Sequence, residues 1–373
     1  MNILNIKFHI QQIIKKIFQF LFIILYGRVK NILNSKTSNR VEVKKIFKEN
    51  QSYRIFILNE ARLYTDRIND SAFIIDNQIV DGPSYQLRSE PGNILSPRNN
   101  SETKNNIVFE KGTPRFKKRI KGSVISLLTG GGGNTNYFHW LYDVLPKLSL
   151  YEDLNNKKFP DFLLVPNDEL HFQKESLNIL GFNKEQILSS KTYRHIISKK
   201  IYVTDHPYNI TNNALLDHEK MPSWISEWLK KKFLHKIILN NKFEKIYIDR
   251  NDFDTKRFSS RGILNEQELR LFLKSLGFKF VKLNEMSFLE QINIFNNAKI
   301  IIGLHGAAFA NLSFCKPKTR VIEFKTSGAG KIIESIAMNN NLNFSSLELD
   351  SQKLDDKQNG FIDIPLNELK NLI

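Results

Sequence analysis

Lys299-Ile300-Ile301-Ile302-Gly303-Leu304-His305-Gly306-Ala307-Ala308-Phe309-Ala310-Asn311 is an apolar run that passes into a turn of small residues and then into a helical pattern. An uninterrupted β-branched run is what a strand covered on both faces requires. The small residues after it let backbone approach a ligand, and a helix beginning there offers unpaired amides to an anion. The same grammar repeats on either side. Lys245-Ile246-Tyr247-Ile248 reads as a buried strand, followed by the polar loop Asp249 to Arg261. Asn265 is the predicted N-cap of a helix with Glu266 and Glu268 in its first turn, Leu269, Leu271, Phe272 and Leu276 as its apolar positions, and Gly277 as its end. A strand over Lys279 to Leu283 and a helix over Ser287 to Asn297 follow, the helix capped by Ser287 with Glu290 three residues on. The strand Lys299 to Ile302, a helix to about Phe314 and the strand Arg320 to Phe324 complete the series. Strands alternating with helices in this way imply right-handed βαβ units and a parallel sheet.

The first half carries a similar pattern. Ser123 to Leu128 reads as a strand running into Thr129-Gly130-Gly131-Gly132-Gly133-Asn134-Thr135-Asn136, then a helix over Tyr137 to Asp153. That glycine loop is not the dinucleotide fingerprint. Apolar runs at Phe162 to Val165 and Ile196 to Val203 flank a helical pattern around Leu170 to Leu180. Upstream, Tyr53 to Val80 reads as a small β-meander with Asn59-Glu60 and Asn77 as turns, residues 36 to 50 as a polar, basic linker, and Ser89 to Asn106 as loop. A helix from Ser223 to Leu239 bridges the halves. The expected fold class is α/β with two Rossmann-like domains facing a cleft, over residues 36–235 and 236–345. Residues 1–35 precede them and a tail, 346–373, follows.

Composition narrows the partners. The chain has 373 residues, 41% hydrophobic and 25% charged, which excludes wholesale disorder and a polytopic membrane protein. Its net charge of +17 calls for an anionic partner, though an AT-rich coding sequence would also enrich Lys. Ten basic residues and one acidic residue, Glu42, fall between Met1 and Lys48. There Ile6, Ile10, Ile13, Ile14, Ile17, Leu21, Ile24 and Leu25 recur at helical spacing opposite Gln11, Gln12, Lys15, Lys16 and Gln19. The fully apolar part, Phe20 to Tyr26, is shorter than the roughly 20 residues a bilayer span needs. This predicts a helix lying on an anionic membrane surface, with packing on the protein body or on a partner subunit as the alternative. The lone Cys315 suits a reducing compartment, so a cytoplasmic protein on the inner face of the plasma membrane is expected. A second basic run, Lys111, Arg115, Lys117, Lys118, Arg119 and Lys121, is a solvated face unless it borders a cleft.

Three clusters can carry chemistry. In a helix, His139 and Asp143 lie one turn apart, so the carboxylate can orient the imidazole or itself act as a base. Trp140 lies between them, with Gly132, Gly133 and Asn136 just ahead, on the side expected to shape the acceptor. Arg250, Arg257 and Arg261, with Lys256, crowd the loop after a strand, where guanidinium groups suit a diphosphate. Asp252-Phe253-Asp254 in the same loop is an Asp-x-Asp that would hold a divalent metal if the donor came with one. Gly303, His305, Gly306, Ala307 and Asn311 form the third cluster, a donor-side turn at a strand-to-helix switch.

His139-Trp140 with Asp143 and Leu145-Pro146, Tyr247 to Arg250, Arg261 with Asn265-Glu266, Gln291, Ala298, Gly303, His305-Gly306-Ala307, Asn311 and Ile322-Glu323 together resemble the pattern of glycosyltransferase family 61. The resemblance covers roughly Ser123 to Phe324. It implies a GT-B fold, inversion at the anomeric carbon, a nucleotide-sugar donor that is usually UDP-linked, and no metal or other cofactor. Bacterial members of similar shape are associated with capsular or surface polysaccharide, which points to a glycan or lipid-linked acceptor. Ala308-Phe309 departs from the Gly that relatives often carry after His-Gly-Ala. On this reading His139 or Asp143 is the base, Arg250 and Arg261 meet the departing diphosphate, and Glu323 bonds ribose hydroxyls. The competing readings are a metal-dependent transferase, a non-catalytic scaffold and a nucleic-acid binder. No zinc spacing or RRM-like motif supports the last, so no nucleic-acid partner is expected.

Overall fold

The structure, a computed structural model, describes residues 3–86, 103–130, 132–154, 159–208, 214–237, 243–250, 261–351 and 360–373. The chain is α/β and divides into two compact units. Unit 1 comprises Met1–Thr135, Asp143–Asp168 and Phe182–Ala214; unit 2 comprises Asn136–Tyr142, Glu169–Gly181 and Leu215–Ile373.

Unit 1 is built on one ten-stranded mixed sheet. Its long strands are Gln51–Thr65 and His195–Thr204, which pair antiparallel, and Lys118–Ser126, Phe162–Val165 and Ile187–Ser189 then continue the sheet in parallel. The meander is therefore the antiparallel flank of this sheet. Asn59-Glu60, expected as a turn, lies inside the strand Gln51–Thr65, with Glu60 at positive φ. The expected linker is instead largely strand: Val41–Lys48 forms a hairpin with Gln51–Thr65. Its polar character suits an edge strand with a solvated face. Phe56, Leu58, Leu63, Val124, Leu164 and Ile201 fill the core on one face.

The N-terminal helix, Ile3–Tyr26, belongs to this unit and ends at Gly27, whose φ of +80° is the left-handed stop that glycine supplies. Among the described side chains of the helix only Phe22 is buried; Ile10, Ile13, Ile14, Ile17, Leu21, Ile24 and Leu25 all face outward. Over Phe8–Tyr26 the mean hydropathy is 1.3, so by length and composition this stretch can also cross a membrane.

Unit 2 holds a five-stranded, all-parallel sheet with strands in the spatial order Lys279–Val281, Lys245–Ile248, Ile300–Leu304, Arg320–Thr326, Asn343–Leu349. Counted along the chain this is 2-1-3-4-5, the doubly wound order whose ligand crevice opens where strands 1 and 3 send their connections in opposite directions. A small parallel pair, Arg261–Ile263 with Gly360–Ile362, stands apart from it. The Ser287 cap is present: its Oγ accepts from the Glu290 amide at 3.3 Å while Glu290 accepts from the Ser287 amide at 2.7 Å. Asn265 does not cap its helix. Its side chain bonds both ways with the backbone of Ile364, at 2.9 Å each, and ties the helix start to the C-terminal segment. Leu271, expected in the core, is exposed, and Leu273 takes the buried position with Leu269.

Candidate active site

The crevice of the unit 2 sheet lies beyond Ile248 and Gly303, which are paired in register on adjacent strands. A side chain at 303 has no room: a Cβ would stand 3.0 Å from Ile248 Cβ and 3.3 Å from Phe309 Cζ. Past these residues the two strands deliver Asp249-Arg250 and His305-Gly306. Arg250 and Arg261 each donate an Nη1 hydrogen bond of 3.0 Å to the carbonyl of His305. With Tyr247, Glu266 and Leu304 they line a small cleft. A Cβ on Gly306 would lie 3.1 Å from Arg250 Nη1, so this turn lets the guanidinium close on the backbone.

Two further contacts hold this arrangement. Buried Asp249 takes a bidentate pair from Arg270, both bonds 2.9 Å, and Arg270 also reaches Glu266 at 3.1 Å. The Asp249 carboxylate raises the Arg270 pKa, and the guanidinium lies 4.6 Å from the Phe280 ring centre. The exit of the first strand is thereby fixed one residue before Arg250. At the other strand, His305 Nδ1 hydrogen-bonds the carboxylate of Glu323, which is 1% exposed and comes from the next strand in the sheet. With Nδ1 engaged, Nε2 is the ring nitrogen that can meet a ligand.

Beyond Gly306 the expected helix to about Phe314 is a 3-10 helix, Ala307–Phe314. Asn311 is wholly buried in it: Nδ2 donates to Ala308 O and to Gln291 Oε1, and Oδ1 accepts from Tyr137 Oη at 2.7 Å. Burial keeps the Tyr137 phenol protonated, its pKa well above the ordinary value. Asn311 thus braces the turn from within. Trp140, expected beside the acceptor, is fully buried and donates its indole N–H to Ser176 Oγ at 2.9 Å. Tyr142, Ser313, Ser226 and Asn340 form a further buried chain of hydrogen bonds in unit 2.

The segment holding His139 is a single helical turn, Tyr137–His139, capped by Asn136 Oδ1 on the amides of Phe138 (2.9 Å) and His139 (3.4 Å). It passes into a π-helical stretch, Trp140–Val144, of the kind that often marks functional sites. His139 is half-buried in unit 2, while Asp143 belongs to unit 1. Buried Asp143 has Oδ2 3.6 Å from His206 Nε2. One turn on, Lys147 is buried and donates Nζ to Leu128 O at 2.8 Å. Burial pushes its amine down to about 8, against the upward pull of Asp205 and Asp143. Gly133 lies in the same unit, where a Cβ would stand 2.7 Å from Val144 Cγ2; Gly132 begins the short helix Gly132–Thr135. Arg257 and the Asp252/Asp254 pair lie outside the described residues.

Sequence reasoning missed Arg270, His206 and Lys147, and it assigned Glu323 no link to His305. Arg270 had a signal, an i to i+4 pairing with Glu266 on the helix that follows the arginine loop. The other contacts cross between distant segments and have no local spacing.

A doubly wound parallel sheet with arginines and a carboxylate-held histidine at its switch point defines a ligand-binding α/β protein. Residues 137–322 match the family model described as Glycosyltransferase 61, and the chain belongs to that family. Membership implies a glycosyltransferase. No curated protein matches the chain.

Proposed function

We propose that the protein is an inverting glycosyltransferase that moves a sugar from a nucleotide sugar, UDP-linked, to a hydroxyl of a glycan or lipid-linked acceptor in surface or capsular polysaccharide synthesis. The observation that carries the donor side is the convergence of Arg250 and Arg261 on the His305 carbonyl at the switch point of the unit 2 sheet. Guanidinium groups gathered at such a place suit a diphosphate, whose oxygens they bind bidentately. Glu323 fixes the His305 ring so that Nε2 serves the donor. The overall arrangement is read as GT-B, with unit 2 as the donor half.

Inversion follows from a single displacement. A base takes the acceptor proton as the hydroxyl oxygen attacks the anomeric carbon, and the bond to the nucleoside diphosphate breaks. His139 and Asp143 are the candidate bases. Asp143 is favoured by its nearness to His206, which can pass on the proton it receives. The arginines neutralise the leaving diphosphate in the role a metal fills in Asp-x-Asp enzymes, so no metal is required. The exposed apolar stripe of the N-terminal helix and the basic residues around it support residence on the inner face of the plasma membrane.

Thermal unfolding of the full chain with UDP-, GDP- and CMP-sugars tests this reading. The true donor stabilises the fold by mass action, and Arg250→Gln with Arg261→Gln abolishes the shift. Absence of a shift with every donor refutes it. Turnover abolished by EDTA and restored by manganese refutes the metal-free mechanism alone.

A further inference from the structure

The basic run that opens the strand Lys118–Ser126 takes no part in the site above, yet it borders a cavity of about 830 Å³ in unit 1, at the foot of the N-terminal helix. Lys117, Arg119 and Lys121 all line it. Register brings in more. Arg119 pairs with Ile197, and Ile197 pairs with Arg62 on the following strand, so the two guanidinium groups flank one strand on the same face. Their Cα atoms are two strand spacings apart, about 10 Å, the room a phosphate needs between two long cationic side chains. Lys199, beside the register shift between Ser198 and Lys200, and Arg40 also line the cavity.

Among the described residues most of this charge has no carboxylate partner. Arg40 is taken up by Asp76 at 2.8 Å and Glu60 at 3.8 Å. Arg62 is buried, and among the described residues its side-chain partner is an amide, its Nη2 bonding Asn77 Oδ1 at 2.5 Å. Among the described residues no carboxylate pairs with Arg62, Lys117, Arg119, Lys121 or Lys199. The C-terminal end of the helix adds only about half a negative charge. Burial, and then repulsion from Arg62 and Arg119, lower the Lys117 pKa, and burial alone lowers that of Arg62.

The cavity also has an apolar border. Leu25 and Tyr26, the last turn of the helix, line it, and the helix leads away from it with Ile14, Ile17, Leu21 and Ile24 exposed. The helix end is pinned there. Lys117 lies 5.0 Å from the Tyr26 ring centre, and Gly27 passes so near Asn77 that a Cβ would stand 2.2 Å from Nδ2 of the residue that holds Arg62. A ligand matched to this place is anionic at one end and apolar at the other. We propose that the cavity binds the phosphate headgroup of an anionic membrane lipid, with the acyl chains following the exposed face of the N-terminal helix. This rests on the membrane-surface reading of that helix and gives it a specific lipid contact.

The test uses the full chain and two measurements. Calorimetric titration with monomeric dihexanoyl phosphatidylglycerol should show saturable binding, with dihexanoyl phosphatidylcholine and inorganic phosphate both much weaker. Arg119→Gln/Lys121→Gln/Lys199→Gln alters only exposed positions and should weaken phosphatidylglycerol binding about a hundred-fold, the loss expected for three basic groups near an anionic headgroup. Unchanged binding by this variant, or phosphate binding as tight as the lipid, overturns the proposal. Co-sedimentation with neutral and phosphatidylglycerol-containing vesicles separates the two readings. If wild type and variant sediment equally with anionic vesicles, the helix binds membrane and the headgroup site is refuted. If neither sediments while the short-chain lipid still binds wild type, the membrane reading fails and the pocket stands.

Discussion

Lys147 offers a prediction whose size follows from its surroundings. Its amine is buried, bonded to Leu128 O, and lowered by burial from 10.5 to about 8. Between those values the unfolded chain binds a proton that the folded chain has already released. Stability therefore rises with pH across the window, and the penalty of holding this charge inside is fully present below pH 8. The gap between those two values corresponds to about 3 kcal/mol, of which about 2 kcal/mol is recovered between pH 7 and pH 9.5. Lys147→Met keeps the stem volume and removes the charge, while leaving the Leu128 carbonyl short of a donor at about 1–2 kcal/mol. The variant should thus be more stable than wild type by about 1–2 kcal/mol at pH 7 and should lose that advantage by pH 9.5. Urea unfolding of both proteins at the two pH values measures this, and other alkaline groups cancel in the difference. Parallel pH dependence in the two proteins would show that Lys147 carries no such penalty.

Arg250→Gln and Arg261→Gln should each raise the donor KM about ten- to hundred-fold, the loss of a charge-assisted bond, with the double variant less than additive because both serve one carbonyl; steady-state kinetics decides. Glu323→Ala should lower stability by about 1–3 kcal/mol by stranding the His305 Nδ1 in a buried setting, whereas Glu323→Gln should recover most of it in thermal unfolding. Ser287→Ala should lower stability by about 1 kcal/mol through the lost cap and leave donor KM unchanged.

Four strands of the unit 2 sheet were legible because each is short, apolar and closed by a turn signal, and Arg250 and His305 stand just after two of them, where a ligand crevice must open; the fifth, Asn343–Leu349, mixes Asn, Ser and Glu with its apolar residues and falls where a tail was expected to begin. What local pattern could not supply was the partner of each polar group. Asn265 has the composition of an N-cap, but the backbone of Ile364 outcompetes the helix amides for its side chain. Asn59-Glu60 has turn composition, yet the pairing of Gln51–Thr65 with three other strands carries the chain through it. Leu271 fits the apolar period of its helix as well as Leu273 does, and only packing chooses between them. Glu323 was expected at the site without its partner His305, because register across two parallel strands is set by tertiary structure.

The way unit 2 is assembled from the chain bears on how this protein can diversify. Asn136–Tyr142 and Glu169–Gly181 reach it from the middle of unit 1, and they supply Tyr137, Trp140, Tyr142 and Ser176 to its interior. A fragment starting at Leu215 would lack all four, leaving Asn311 and Ser313 without their phenolic partners. Recombination at one breakpoint therefore cannot lift out a working half, and new specificities must arise by residue changes or loop replacement within an unbroken chain.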